Sequence, residues 1–80
     1  MPTEAEITTA LSGIFADVFG REIPLQPGLT AKDVPGWDSF KQIEIIMATE
    51  EHYAIRFSTR ELDSLQSVGD LIAVVAGKAA

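Results

Sequence analysis

Apolar residues recur at helical spacing in three stretches of the chain. Ile7, Leu11, Ile14, Phe15, Val18 and Phe19 fall three and four positions apart and stop at Gly20, and Thr3-x-x-Glu6 ahead of them has the form of a capping box. This pattern predicts a first helix. A second is predicted from Phe40 to about His52, a run free of Gly and Pro, with Ser39-x-x-Gln42 as a possible capping box and Ser39 as its cap. Ser67-x-x-Asp70 introduces Val68, Leu71, Ile72 and Val75, which predicts a last helix ending at Gly77. Between these, Ser58-x-x-Glu61 starts one short turn carrying Leu62.

The intervening segments read as connections. Pro24, Pro27 and Pro35 lie close together, so the first of them is a long loop. Tyr53, Ile55 and Phe57 alternate with Ala54 and Arg56, but a lone strand has no partner, and we read an extended connection. The expected architecture is all-α: a four-helix bundle of three main helices and one short helix, with a long first loop, in a single domain over residues 1–80.

On a helical wheel the second helix has two apolar faces. Ile45, Ile46, Thr49 and Tyr53 form one, and Phe40, Ile43, Glu44, Met47 and Glu51 form the other. A bundle wrapped around both faces is the plainer explanation. The glutamates of the second face argue against it, because a buried unpaired carboxylate is costly.

Charge sharpens this contrast. Twelve acidic and six basic residues give a net charge of -6, and residues 1–20 and 38–52 carry -3 each while the rest sums to zero. Nucleic acid is thereby excluded as a partner, since its binding depends on Lys and Arg neutralising phosphates, and basic protein surfaces are favoured. Crowded carboxylates also predict raised pKa values and a fold that gains stability as pH falls from about 8 towards about 5. With no cysteine, the chain has no disulfide, zinc-thiolate site or thiol nucleophile of its own, which fits a cytoplasmic protein. No membrane span is expected. Eighty residues supply one modest core and predict no deep substrate cavity.

Conventional catalysis finds no support. His52, the one histidine, lies 13 positions from Ser39 in the same predicted helix, about 20 Å away at 1.5 Å per residue. The window Asp33 to Glu44 cannot be a calcium loop, because Pro35 and Trp37 fill ligand positions and Asp38 replaces the required glycine. What remains is Gly36-Trp37-Asp38-Ser39-Phe40, where a Pro/Gly loop enters a helix. Ser39 there suits a helix cap, and equally an attached phosphate, which the positive end of a helix favours.

This stretch resembles the Asp-Ser-Leu signature of the acyl carrier proteins. The similarity continues through the acidic second helix, Ile43 to Glu51, and the last helix, Val68-Gly69-Asp70-Leu71-Ile72, and so covers nearly the whole chain. The resemblance implies that the protein is not an enzyme. It implies a 4'-phosphopantetheine on Ser39 whose terminal thiol holds acyl intermediates as thioesters, in fatty-acid, polyketide or a related specialised pathway. By the same resemblance Asp38 assists a phosphopantetheinyl transferase, and Glu44, Glu50 and Glu51 face basic patches on acyl-loading and acyl-transferring enzymes. Phe40, Ile43 and Met47 supply the apolar contacts of what is expected to be a monomer. Phe40 stands where the family usually has leucine, and Lys41 replaces an acidic or polar neighbour. The alternatives are a peptidyl or aminoacyl carrier, and an unmodified acidic helical module that docks partner helices.

Overall fold

A computed structural model describes residues 3–79. Four α-helices follow one another: α1 (Glu4–Phe19), α2 (Ser39–Tyr53), α3 (Thr59–Ser64) and α4 (Val68–Lys78), with a 3₁₀ turn at Ala31–Asp33 inside the long first loop. No strand occurs among the described residues. The expected all-α architecture is therefore the one observed.

Helix starts follow the capping chemistry written in the sequence. Thr3 Oγ1 accepts from the Glu6 N–H at 3.1 Å while Glu6 Oε1 accepts from the Thr3 N–H at 3.0 Å. Ser58 and Glu61 close the same reciprocal pair at the start of α3. α1 ends at Gly20, whose φ of 68° lies in the left-handed region that glycine enters without a side-chain penalty. α2 ends likewise at Ala54, φ 55°, where a Cβ makes the conformation costlier; its N–H returns to the Glu50 carbonyl. The extended connection expected beyond it is present, with Tyr53 as the last helical residue. α4 runs through Gly77 to Lys78, so that glycine does not stop the helix as its sequence position predicted.

Three apolar stripes meet in the core: Ile7, Leu11 and Phe15 of α1, Ile45 and Ile46 of α2, and Val68, Leu71, Ile72 and Val75 of α4. Ile23 and Val34 anchor the long loop to them. Thr49 is fully buried, and its hydroxyl is satisfied by the Ile45 carbonyl one turn back at 2.7 Å.

The carboxylates that depart from ordinary titration move opposite to the expectation from crowding. Glu6 is held below the usual carboxylate value first by the Thr3 backbone N–H it accepts. Glu61 is lowered first by the Ser58 backbone N–H and then by its bond to Lys78. In both, hydrogen bonds to the carboxylate outweigh the raising effect of desolvation.

Candidate functional site

The backbone entering α2 is shaped by Val34-Pro35-Gly36-Trp37. Trp37 N–H donates to the Val34 carbonyl at 3.1 Å, Pro35 occupies the second position, and Gly36 has φ 87°, which together make a type II turn. That turn delivers Asp38, in extended conformation, to the helix start, where its Oδ1 accepts from the Lys41 N–H at 2.9 Å. The cap is therefore Asp38 and not Ser39, and no capping box joins Ser39 to Gln42. Asp38 takes the cap because the turn delivers it, in extended conformation, to that position, and its charge then complements the positive helix end.

Ser39 is thereby displaced one position, to the first residue of α2, and is exposed. The other four serines are engaged. Ser12 Oγ donates to the Thr8 carbonyl at 2.9 Å and Ser64 Oγ to the Glu61 carbonyl at 2.7 Å. Ser58 Oγ accepts from the Glu61 N–H and Ser67 Oγ from the Asp70 N–H, at 3.1 and 3.2 Å. Of the five serines, Ser39 alone keeps an uncommitted hydroxyl among the described residues.

Side chains from distant parts of the chain fix this corner. The Trp37 ring meets Phe15 edge-on at 5.2 Å and Phe19 at 6.2 Å, and its indole N–H donates to Gln42 Oε1 at 2.8 Å. Lys41 turns back to place Nζ 3.1 Å from the Val18 carbonyl in the last turn of α1, with Glu44 Oε2 at 3.8 Å. Its charge is spent on the end of a helix that carries no basic residue of its own there. Arg21 reaches the Pro35 carbonyl at 3.0 Å. At the far side of the loop, Val68 and Gly69 donate their N–H groups to the Leu29 and Pro27 carbonyls at 2.9 and 2.8 Å.

The second face of α2 is open. Phe40, Ile43 and Met47 are 77%, 56% and 62% exposed, and Glu44 and Glu51 are exposed beside them. The bundle does not wrap around both faces. Glu50 is placed differently: it is half-buried, and its Oε2 accepts from the Phe57 N–H at 2.9 Å, tying the extended connection to the helix.

Next to Ser39 opens a cleft of about 670 Å³ between α2, α3 and the start of α4, where the sequence predicted no deep cavity. Trp37, Asp38, Ser39 and Gln42 line one end, and Ile43, Ile46, Met47, Leu62, Val68 and Leu71 supply much of the apolar wall. Trp37, Leu62 and Leu65 went unrecognised in the sequence as parts of a site. The only local signal was the aromatic ring beside Asp38-Ser39, since their shared wall depends on where the fold places α3 and its following loop relative to α2. His52 is exposed and stacks edge-on with Tyr53 at 4.7 Å. Among the described residues no cluster of His, Asp or Glu could hold a metal ion.

A free hydroxyl on a helix start, an acidic and apolar helix face and an adjacent cleft suit a protein that carries an attached group. Comparisons with known proteins give the same class. The family model described as "Phosphopantetheine attachment site" matches residues 9–75. The acyl carrier protein of Acidothermus cellulolyticus is 32% identical over 77 residues, covering 92% of this chain and 89% of the relative. The meromycolate extension acyl carrier protein of Mycolicibacterium smegmatis is 31% identical, covering 91% and 75%. Among solved structures, holo acyl carrier protein from Geobacter metallireducens superposes with TM-score 0.84 at 39% identity, covering 89% of this chain and 83% of that one. The chain belongs to the acyl carrier protein family. It is a carrier, not an enzyme, and its cofactor is a covalently attached phosphopantetheine.

The residues present fit that group. The first helical N–H groups of α2, those of Ser39 and Phe40, have no partner among the described residues, since the Asp38 carboxylate is spent on the Lys41 N–H. A phosphate is suited to this place.

Proposed function

We propose that Ser39 bears the phosphopantetheine and that the protein passes acyl groups between enzymes. The observation that carries the assignment is the uncommitted, exposed hydroxyl of Ser39, unique among the five serines. The arm supplies the thiol that the cysteine-free chain lacks, and an acyl group is held on it as a thioester. Asp38 contributes by setting the helix start, so that the hydroxyl and the free N–H groups face the phosphopantetheinyl transferase together.

Partner enzymes would meet the open face of α2, with Phe40, Ile43 and Met47 as the apolar centre and Glu44 and Glu51 as the charged rim. Charge pairing of this kind speeds encounter without demanding tight binding, which suits a carrier that must dissociate. Glu50 belongs to the support of that face rather than to its rim, because its carboxylate is occupied by Phe57. The apolar wall of the cleft favours an acyl chain over an aminoacyl or peptidyl group, since a charged or amide-rich cargo would enter it unsatisfied. Relatives named for meromycolate extension support a fatty-acyl cargo. On this reading the protein works as a monomer in the cytoplasm, in fatty-acid, polyketide or a related lipid pathway.

The test is intact mass after incubation with coenzyme A, magnesium and a broad-range phosphopantetheinyl transferase. Wild type should gain one phosphopantetheine and Ser39→Ala none. The variant should also melt with wild type, because the helix cap is Asp38. A labelled Ser39→Ala, or modification mapped to Ser12, Ser58, Ser64 or Ser67, would refute the assignment.

A further inference from the structure

Gln42 follows Ser39 by three positions, so the two side chains share one face of α2. Its amide has a fixed sense. The indole nitrogen of Trp37 can only donate, so the atom it meets at 2.8 Å is the amide oxygen, and the NH₂ group must point elsewhere. That NH₂ makes no hydrogen bond among the described residues. No fully buried side-chain nitrogen or oxygen there lacks a partner, so the NH₂ reaches open space, and Gln42 lines the cleft.

Trp37 in turn is braced against Phe15 and Phe19, so the donor at Gln42 rests on the core itself. The other polar side chains lining the cleft are otherwise placed. Asp38 Oδ1 and Ser67 Oγ are engaged in helix caps. Gln66 is exposed, with no side-chain partner to orient it. A fixed, unused pair of N–H donors at the Ser39 end of a largely apolar cleft calls for an acceptor.

We infer that Gln42 is a positioning residue for the prosthetic arm, donating from Nε2 to an amide oxygen of the phosphopantetheine while Trp37 holds its own oxygen. The inference rests on the reading that Ser39 bears the arm. An amide entering an apolar cleft must keep its hydrogen bonds or lose the advantage of entering. Gln42 meets that requirement next to the attachment point, and so directs the arm into the cleft rather than into solvent.

Nuclear magnetic resonance of the apo and holo forms tests this directly. Intact mass comes first. Absence of the arm's mass, or its presence on another serine, defeats the attachment reading and this inference with it. With the arm confirmed on Ser39, the Gln42 side-chain NH₂ resonances should shift between apo and holo protein, and arm protons should show contacts to Trp37 and Ile43. In Gln42→Glu the acceptor for Trp37 is kept and the donor lost, whereas the uncharged Gln42→Met loses both. Both should take up the arm, and in both the arm-to-cleft contacts should weaken about fivefold, the factor that one net hydrogen bond supports. Unmoved Gln42 NH₂ resonances in the holo protein, or arm contacts of wild-type strength in both variants, would overturn the inference.

Discussion

Glu6 and Glu61 show how a single side chain can set the response of the whole protein to acid. Each accepts the backbone N–H of the residue three positions earlier, and each is thereby held below the ordinary carboxylate value of 4.5. A depressed folded pKa contributes stability that is complete above the unfolded value and is lost as pH falls through the folded one. The fold should therefore hold its stability down to about pH 4.5 and lose it below, so far as these two groups govern it. Thermal melting of Glu6→Gln and Glu61→Gln between pH 6 and pH 3 checks this: both should melt lower at pH 6 and approach wild type at pH 3. Tyr53 sets the alkaline counterpart. Burial, and then the charge of Glu6, raise its pKa above 10.0, so its contribution is complete below that value and disappears as pH rises through the folded one.

At the level of elements, α4 does two tasks with one terminus. Its first-turn N–H groups would lack helical partners, and Val68 and Gly69 spend theirs on the Leu29 and Pro27 carbonyls of the long loop. The approach is close enough that a Cβ on Gly69 would lie 2.8 Å from the Pro27 carbonyl oxygen. Gly69→Ala should therefore force the loop and helix apart and cost about 1–3 kcal/mol, as overpacking does. The loop so loosened is the one that delivers Trp37 and Asp38 to the start of α2. Thermal melting together with Trp37 fluorescence measures both effects; a midpoint equal to wild type would show that the loop yields freely. Trp37 is the sole tryptophan, so the emission reports this corner alone.

Across the whole molecule, net charge of -6 on a body of 31 × 25 × 22 Å acts in two ways. Repulsion strains the compact state, and its range is screened to about 8 Å at physiological ionic strength. Added sodium chloride at pH 7 should accordingly raise the melting midpoint. The same field draws basic partners. Glu44→Lys with Glu51→Lys should slow arm transfer by a basic transferase severalfold at low salt, and the wild-type rate should fall as salt is added. Equal rates for variant and wild type at low salt would remove α2 from the docking face.

Much of this was legible in the sequence because it is local. A capping box needs residues three apart, a helix face needs a 3.6-residue period, and clustered prolines mark a loop, so α1, α3, the core face of α2 and the long first loop could all be read from neighbours in the chain. So could the Asp38-Ser39 signature and the acidic character of α2. Tertiary structure decided the rest. Which of Asp38 and Ser39 caps α2 depended on the angle at which the turn delivers the chain, since either side chain has the chemistry. Lys41 looked like a break in an acidic surface until the end of α1 came within its reach. Glu50 looked like its neighbour Glu51 until Phe57 folded back over it. The cleft could not be read at all, because its walls come from α2, α3 and α4, and no period in a sequence records the gap left between elements that pack at different angles.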